Sequence, residues 1–310
     1  MSDLEGTVMG QIERFLPNLF VIGVAKAGST SLTHWLCSHP EIVSSHDQEL
    51  RFLMDETDPL ARKDGYGATG LHGYRAMYPD EAYEPQVRYR LDTTPQYYYQ
   101  DTAKRVIGEI PGSRVIFTLR DPVDRLLSLF RYAQNNIGVV PKAMPFSEFV
   151  QHLFDPRSSD IMRDRPMLEH AIKHSTYAPY VKEWSSLLGP ERVEVVFFEE
   201  LVREPANEMM TLAQALGLDP SAYEGVSFAR FNESFAVRSQ RLHRLGRRVR
   251  RSTPDWMRSL VKPLYMGLNT GPAKKHLSDD DRRSVEALRA HFGDWKSALP
   301  QTGRMLATAS

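Results

Sequence analysis

The stretch from Phe20 to Leu32 reads FVIGVAKAGSTSL, an apolar run that gives way to a turn of small residues and then to a helical period. The apolar residues from Leu19 to Ala25 suit a strand buried on both faces, and they fall well short of the roughly 20 residues of a membrane span. Beyond the turn, Leu32, Trp35 and Leu36 recur at helical spacing, which predicts a helix over Ser29 to Ser38. A helix that opens where a buried strand ends aims its unsatisfied backbone N–H groups, and the positive end of its dipole, at one point beyond the sheet. Such a point binds phosphate.

The loop departs from the usual G-x-x-x-x-G-K-[ST] pattern in one respect. Gly23 and Gly28 have the expected spacing, but Ser29 follows the second glycine, and the lysine, Lys26, stands two residues before it. A lysine there can reach the outer side of a nucleotide's 5′-phosphate, where a transferred group would depart. The hydroxyls of Ser29, Thr30 and Ser31 add donors. The same residues also suit a strand–turn–helix junction with a surface lysine.

Further apolar runs at Val115–Leu119 and Val193–Phe198, with a weaker alternating one at Val87–Leu91, read as strands. Helical periods follow at Asp124 to Tyr132 and Glu204 to Leu216, and a last helix is expected from the N-cap Ser278 to about Leu299. Strands alternating with helices predict an α/β fold, a P-loop-like central parallel sheet flanked by helices on both faces. No repeat or low-complexity linker interrupts it, so one domain is expected over residues 15–300, with flexible termini at 1–14 and 302–310.

Composition narrows the function. The 310 residues carry 39 basic and 39 acidic side chains, which argues against a nucleic-acid partner held by a dominant basic surface. The single cysteine, Cys37, can build neither an intrachain disulfide nor a cysteine cage for a metal. Asp3, Glu5 and Glu13 sit where a secretory signal would be basic and then apolar, so a cytoplasmic location is expected.

A second strand–turn–helix element runs from Val115 to Tyr132, with Arg120 at the strand end and Ser128 eight residues on. A guanidinium and a hydroxyl so placed can clamp a second phosphate. Alternatively, Arg120 pairs with Asp121 or Asp124, and Ser128 is a small helix-packing residue.

Together these elements resemble the sulfotransferases that use 3′-phosphoadenosine 5′-phosphosulfate (PAPS). The first loop resembles their 5′-phosphosulfate loop, and their second element carries an arginine and a serine at the same spacing, both on the 3′-phosphate. Gln48-Glu49-Leu50-Arg51-Phe52 resembles the family's Lys-Glu-x-x-Phe segment, and Gly70 to Tyr74 with Tyr78-Pro79 its Gly-Leu-x-Trp-Tyr…Phe-Pro stretch. Leu91 to Tyr97 resembles Glu-Lys-Thr/Ser-Pro-x-Tyr, and Tyr177 to Trp184 the Tyr…Trp helix. The likeness covers roughly Phe15 to Leu299 and favours the carbohydrate-type branch with its bacterial relatives. Gln48 and Thr93 stand where relatives carry lysines.

The resemblance implies PAPS as donor, 3′-phosphoadenosine 5′-phosphate (PAP) as product and no required metal. It assigns the nucleotide to Lys26, Ala27, Gly28, Ser29, Thr30, Ser31, Arg120 and Ser128, and to Arg238 at the head of a basic run reaching Arg251. That run also reads as a solvated amphipathic helix. Glu49 is the expected general base, or else a surface acid paired with Arg51. His46 is the second candidate, since another branch uses histidine. Lys26 would stabilise or protonate the bridging oxygen. The acceptor is expected to be a hydroxyl, in second place an amine, of a small molecule, a carbohydrate or a carrier-bound group, chosen by the loops Asp55–Gly70 and Gly138–Arg165. Tyr97, Tyr98 and Tyr99 either line that cleft or pack in the core. An ATP-dependent small-molecule kinase and a non-catalytic nucleotide-binding module are the alternatives.

Overall fold

The computed structural model describes residues 15–229, 236–237, 270–271 and 277–304. In chain order its main elements are β1 (Leu19–Gly23), α1 (Ser29–Leu36), β2 (Ile42–Ser44), β3 (Tyr89–Thr93), α2 (Asp101–Glu109), β4 (Arg114–Leu119), α3 (Pro122–Tyr132) and α4 (Phe146–Phe154). There follow α5 (Ala178–Leu188), β5 (Val193–Phe197), α6 (Phe198–Arg203), α7 (Pro205–Ala215), the two-residue strands β6 (Ala236–Val237) and β7 (Thr270–Gly271), and α8 (Asp279–Phe292).

Contacts group the chain into two units, and the first comprises Met1–Asp121, Lys173–Phe231 and Asp294–Ser310. It holds a five-stranded sheet in the order β2-β3-β1-β4-β5, with every neighbouring pair parallel. The period-2 alternation of β1 divides its side chains between two cores. Phe20 and Ile22 pack with Val106, Ile107, Val181 and Trp184 of α2 and α5, whereas Leu19 and Val21 pack with Leu32, Trp35, Met209 and Leu212 of α1 and α7. The expected α/β architecture, with a parallel sheet covered on both faces, is present.

Boundaries moved where a local hydrogen bond outweighed the apolar pattern. β3 starts two residues later than expected, because Val87 N–H closes a turn onto Glu84 and Arg88 and Tyr89 N–H both donate to the Glu41 carbonyl. β5 stops at Phe197, since Phe198 already opens α6. β2, with only three residues, was not anticipated. The tail was expected to be flexible from residue 302, yet Thr302 is fully buried. Arg304 N–H donates to the buried Glu194 carboxylate at 3.1 Å, its guanidinium to Val195 O at 2.9 Å and to Glu208, and Arg114 pairs with Glu194 at 3.0 Å.

The second unit comprises Pro122–Ile172 and Asn232–Gly293. Its core joins Leu126 and Leu129 of α3, Phe149 and Leu153 of α4, and Val285 and Leu288 of α8. Ser278 caps α8 as expected, in a capping box with Asp281, whose carboxylate also accepts from Ser147 N–H at 2.8 Å. The helix ends at Phe292, earlier than expected, where Gly293 turns at φ 51°.

Candidate functional site

The chain leaves β1 towards β2 on one side of the sheet, and leaves β4 towards β5 on the other. Crevices form at such reversals, at the carboxyl ends of the strands. The two motifs singled out in the sequence occupy the ends of these two strands.

After β1, Val24 N–H donates to Thr118 O of β4 at 2.8 Å, and Ala27 N–H to Val24 O at 3.3 Å. Lys26 at φ 75° and Gly28 at φ 89° are both left-handed, which folds the segment back over the sheet end. Gly28 is required twice over, since a Cβ there would lie 2.8 Å from the Phe198 ring. α1 then opens at Ser29, and its N-cap, Gly28, has no side chain with which to cap it. The positive end of the helix dipole lies at this turn, at the end of the sheet. Ala27 is fully buried, Ser29 and Ser31 nearly so, and Lys26 and Thr30 are half-buried.

Arg120, the residue after β4, turns to this loop rather than to a neighbouring aspartate. Its Nη1 lies 3.5 Å from the Lys26 carbonyl, and its Cζ sits 4.5 Å from the centre of the Phe198 ring. Tyr177 Oη donates to the Arg120 carbonyl at 2.9 Å, fixing the backbone. The guanidinium Nε is buried and has no hydrogen-bond partner among the described residues. Asp121 uses its N–H on Glu199 Oε1, at 2.9 Å. Ser128 belongs to α3 of the second unit and is nearly buried there, and Arg238 lies outside the described residues.

The segment carrying Glu49 lies on the end of β3, the other neighbour of β1. Leu50 N–H donates to Thr93 O at 3.3 Å, Arg51 N–H to Thr94 Oγ1 at 2.8 Å, and Thr94 N–H to Val21 O of β1 at 3.0 Å. Arg51 adopts φ 55° and its Nη2 meets Glu49 Oε2 at 2.5 Å. The alternative anticipated for Glu49, a surface acid paired with Arg51, is therefore formed, with 35% of each side chain exposed. His46 is exposed, and its N–H donates to Met77 O at 2.9 Å.

Tyr97 and Tyr98 belong to the core, and Tyr99 is half-buried with its ring stacked 4.1 Å from His174. Three polar or aromatic residues of this region went unnoticed as site residues in the sequence: Phe198, Glu199 and Asp92. Asp92 is wholly buried in β3. Burial pushes its carboxyl up to about 7, against the lowering influence of the Tyr97, Thr94 and Tyr74 hydroxyls bonded to it.

The fold is that of an α/β protein with a P-loop-like turn at the carboxyl end of a parallel sheet. The model of the sulfotransferase domain family matches residues 16–239, and the chain belongs to that family. It is 25% identical over 206 residues to human heparan sulfate glucosamine 3-O-sulfotransferase 5, a match covering 66% of this chain and 54% of that protein. With human bifunctional heparan sulfate N-deacetylase/N-sulfotransferase 3 the identity is 24%, over 66% of this chain and 23% of the other. The chain thus spans about half and a quarter of these relatives' lengths. A solved sulfotransferase from Alicyclobacillus acidocaldarius has the same fold, with a TM-score of 0.50, 21% identity and coverage of 88% of this chain and 95% of that one. Among the described residues, no helix is long and apolar enough to cross a membrane.

Proposed function

We propose that this chain transfers the sulfuryl group of PAPS to an acceptor hydroxyl, with an amine as the lesser option, and releases PAP. The observation that carries the reading is the meeting of Arg120 with the Lys26 backbone at the ends of adjacent strands, which brings together two anion-binding motifs far apart in sequence.

The residues fit the nucleotide. The N-terminus of α1 behind Gly28 suits a 5′-phosphate, and the buried Nε of Arg120, without a hydrogen-bond partner among the described residues, suits a second anion. PAPS supplies the activated sulfuryl group. Ala27, Gly28, Ser29, Thr30 and Ser31 offer backbone and hydroxyl donors to the 5′ side, and the Lys26 ammonium lowers the energy of negative charge on the departing phosphate oxygen. Arg120 holds the 3′-phosphate, to which the family pattern also assigns Ser128 and Arg238. Glu49 takes the acceptor's proton, a role worth about 10²–10⁴ in rate. His46 is the second candidate for it.

The names of the two curated relatives specify a sugar hydroxyl and a sugar nitrogen as the sulfated positions, which supports a carbohydrate as the first acceptor class to test. Small-molecule and carrier-bound acceptors follow. A cytoplasmic location is part of the proposal and is checked by fractionating the native host.

The experiment is PAP release from PAPS by the purified protein over a panel of unsulfated heparosan oligosaccharides, phenols and carrier-bound hydroxyls. Acceptor-dependent release that disappears in Lys26→Ala is expected. Phosphate transfer from magnesium-ATP with no PAP release from PAPS would replace this reading with the kinase.

A further inference from the structure

The end of β3 hides a carboxylate that the proposed chemistry does not use. Asp92 Oδ1 accepts from Thr94 Oγ1 at 3.1 Å, and Oδ2 accepts from Tyr97 Oη at 3.0 Å and Tyr74 Oη at 3.2 Å. Two of these hydroxyls accept in their turn. Thr94 Oγ1 takes the N–H of Arg51 at 2.8 Å, and Tyr97 Oη takes the N–H of Leu53 at 3.0 Å.

A hydroxyl has one proton to give, so the direction of each bond is determined. An ionised carboxylate can only accept. Thr94 and Tyr97 must therefore point their protons at Asp92 and turn lone pairs to the backbone of residues 51–53. Burial strengthens this directionality, because the local dielectric is low. The series continues to the surface, since Arg51, held through its N–H, reaches back through Nη2 to Glu49 Oε2 at 2.5 Å.

A role confined to bracing the fold explains this arrangement poorly. Burying a carboxylate is costly, and a packed apolar side chain usually serves a core at least as well. Here both relay hydroxyls spend their accepting capacity on one short segment, the one that carries Glu49.

We propose that Asp92 is a positioning residue, which orients the Thr94 and Tyr97 hydroxyls so that they fix the Arg51–Leu53 backbone and, through Arg51, the direction of the Glu49 carboxylate. The inference rests on the reading of Glu49 as the base. It also explains why three segments distant in the sequence, around Glu49, Tyr74 and Asp92, converge on one buried atom group.

The test uses the full chain at pH 8, with Asp92→Asn, Glu49→Gln and the double variant. Residue-resolved amide exchange in the presence of PAP addresses the relay alone: Arg51 and Leu53 N–H should exchange about 10-fold or more faster in Asp92→Asn, with β1 and β4 unchanged. PAP release over the same acceptor panel addresses its consequence. Asp92→Asn should lower kcat about 10- to 100-fold with KM for PAPS within about twofold, and should add nothing to the loss in Glu49→Gln. Should Asp92→Asn fail to fold, Thr94→Val removes the Arg51 link alone and is expected to show the same split.

Wild-type exchange and turnover in Asp92→Asn, beside an inactive Glu49→Gln, would overturn the positioning role and leave the base in place. Losses that multiply in the double variant would make Asp92 a structural residue only. Full turnover in Glu49→Gln would remove the base assignment and this inference with it.

Discussion

Thr93 Oγ1 lies 2.7 Å from Thr33 Oγ1, and so joins the strand beneath the Glu49 segment to the helix whose first turn is assigned to the nucleotide. The Thr33 hydroxyl is also 2.9 Å from Ser29 O and donates there, which makes Thr93 the donor of the pair. The family's patterns often carry a lysine at this position. In this chain the side chain is buried and spent on α1.

Thr93→Val keeps the shape and leaves the buried Thr33 oxygen short of a donor. The expected cost is about 1–3 kcal/mol of stability, read from urea unfolding with an unchanged m-value. A variant as stable as the wild type would show that the hydroxyl pair does not tie α1 to β3.

Lys26→Ala removes the ammonium of a half-buried residue from a loop held by backbone bonds. Turnover should fall by about 10²–10³ while the melting temperature moves by less than about 3 °C. A large fall in melting temperature would instead make Lys26 a structural residue whose positive φ the loop needs.

The raised pKa of Asp92 has a sign that can be checked. Its folded carboxyl titrates near 7 and its unfolded one near 3.8, so the folded state binds the proton more tightly between these values. The contribution of Asp92 to stability is thus fullest below about pH 4 and is lost as pH rises through about 7. The buried Tyr74, Tyr97 and Tyr78 face this group, with Arg62 as a favourable charge nearby, and burial keeps the three phenols neutral across the window. Melting temperatures of wild type and Asp92→Asn should therefore shift against each other between pH 4 and 7, the wild type losing ground as pH rises, and run parallel above it. Parallel curves throughout would contradict the raised pKa.

What could be read from the sequence was what neighbouring residues decide. The strand before Gly23, the turn at Gly28 and the helix after it follow from local pattern, as does the cap at Ser278. Arg120 stood out in the sequence by residue type and its place at a strand end, whereas its seat against Phe198 depends on where β5 ends beside β4. Asp92 was illegible as a site residue for a stronger reason. Its three donors come from residues 74, 94 and 97 and its effect falls on residues 51 and 53, so only the folded chain assembles the group. The same holds at the ends of elements: a single carbonyl, Glu41 O, decided where β3 begins.

The most direct test of the account is a calorimetric titration of the protein with PAP, beside one with magnesium-ATP. The account predicts tight binding of PAP in preference to magnesium-ATP, with affinity lost by about 10-fold or more in Arg120→Ala, since a charge-assisted hydrogen bond from a half-buried guanidinium to a phosphate is worth roughly 1.5–3 kcal/mol. Preference for magnesium-ATP, or PAP binding that ignores Arg120, would contradict it.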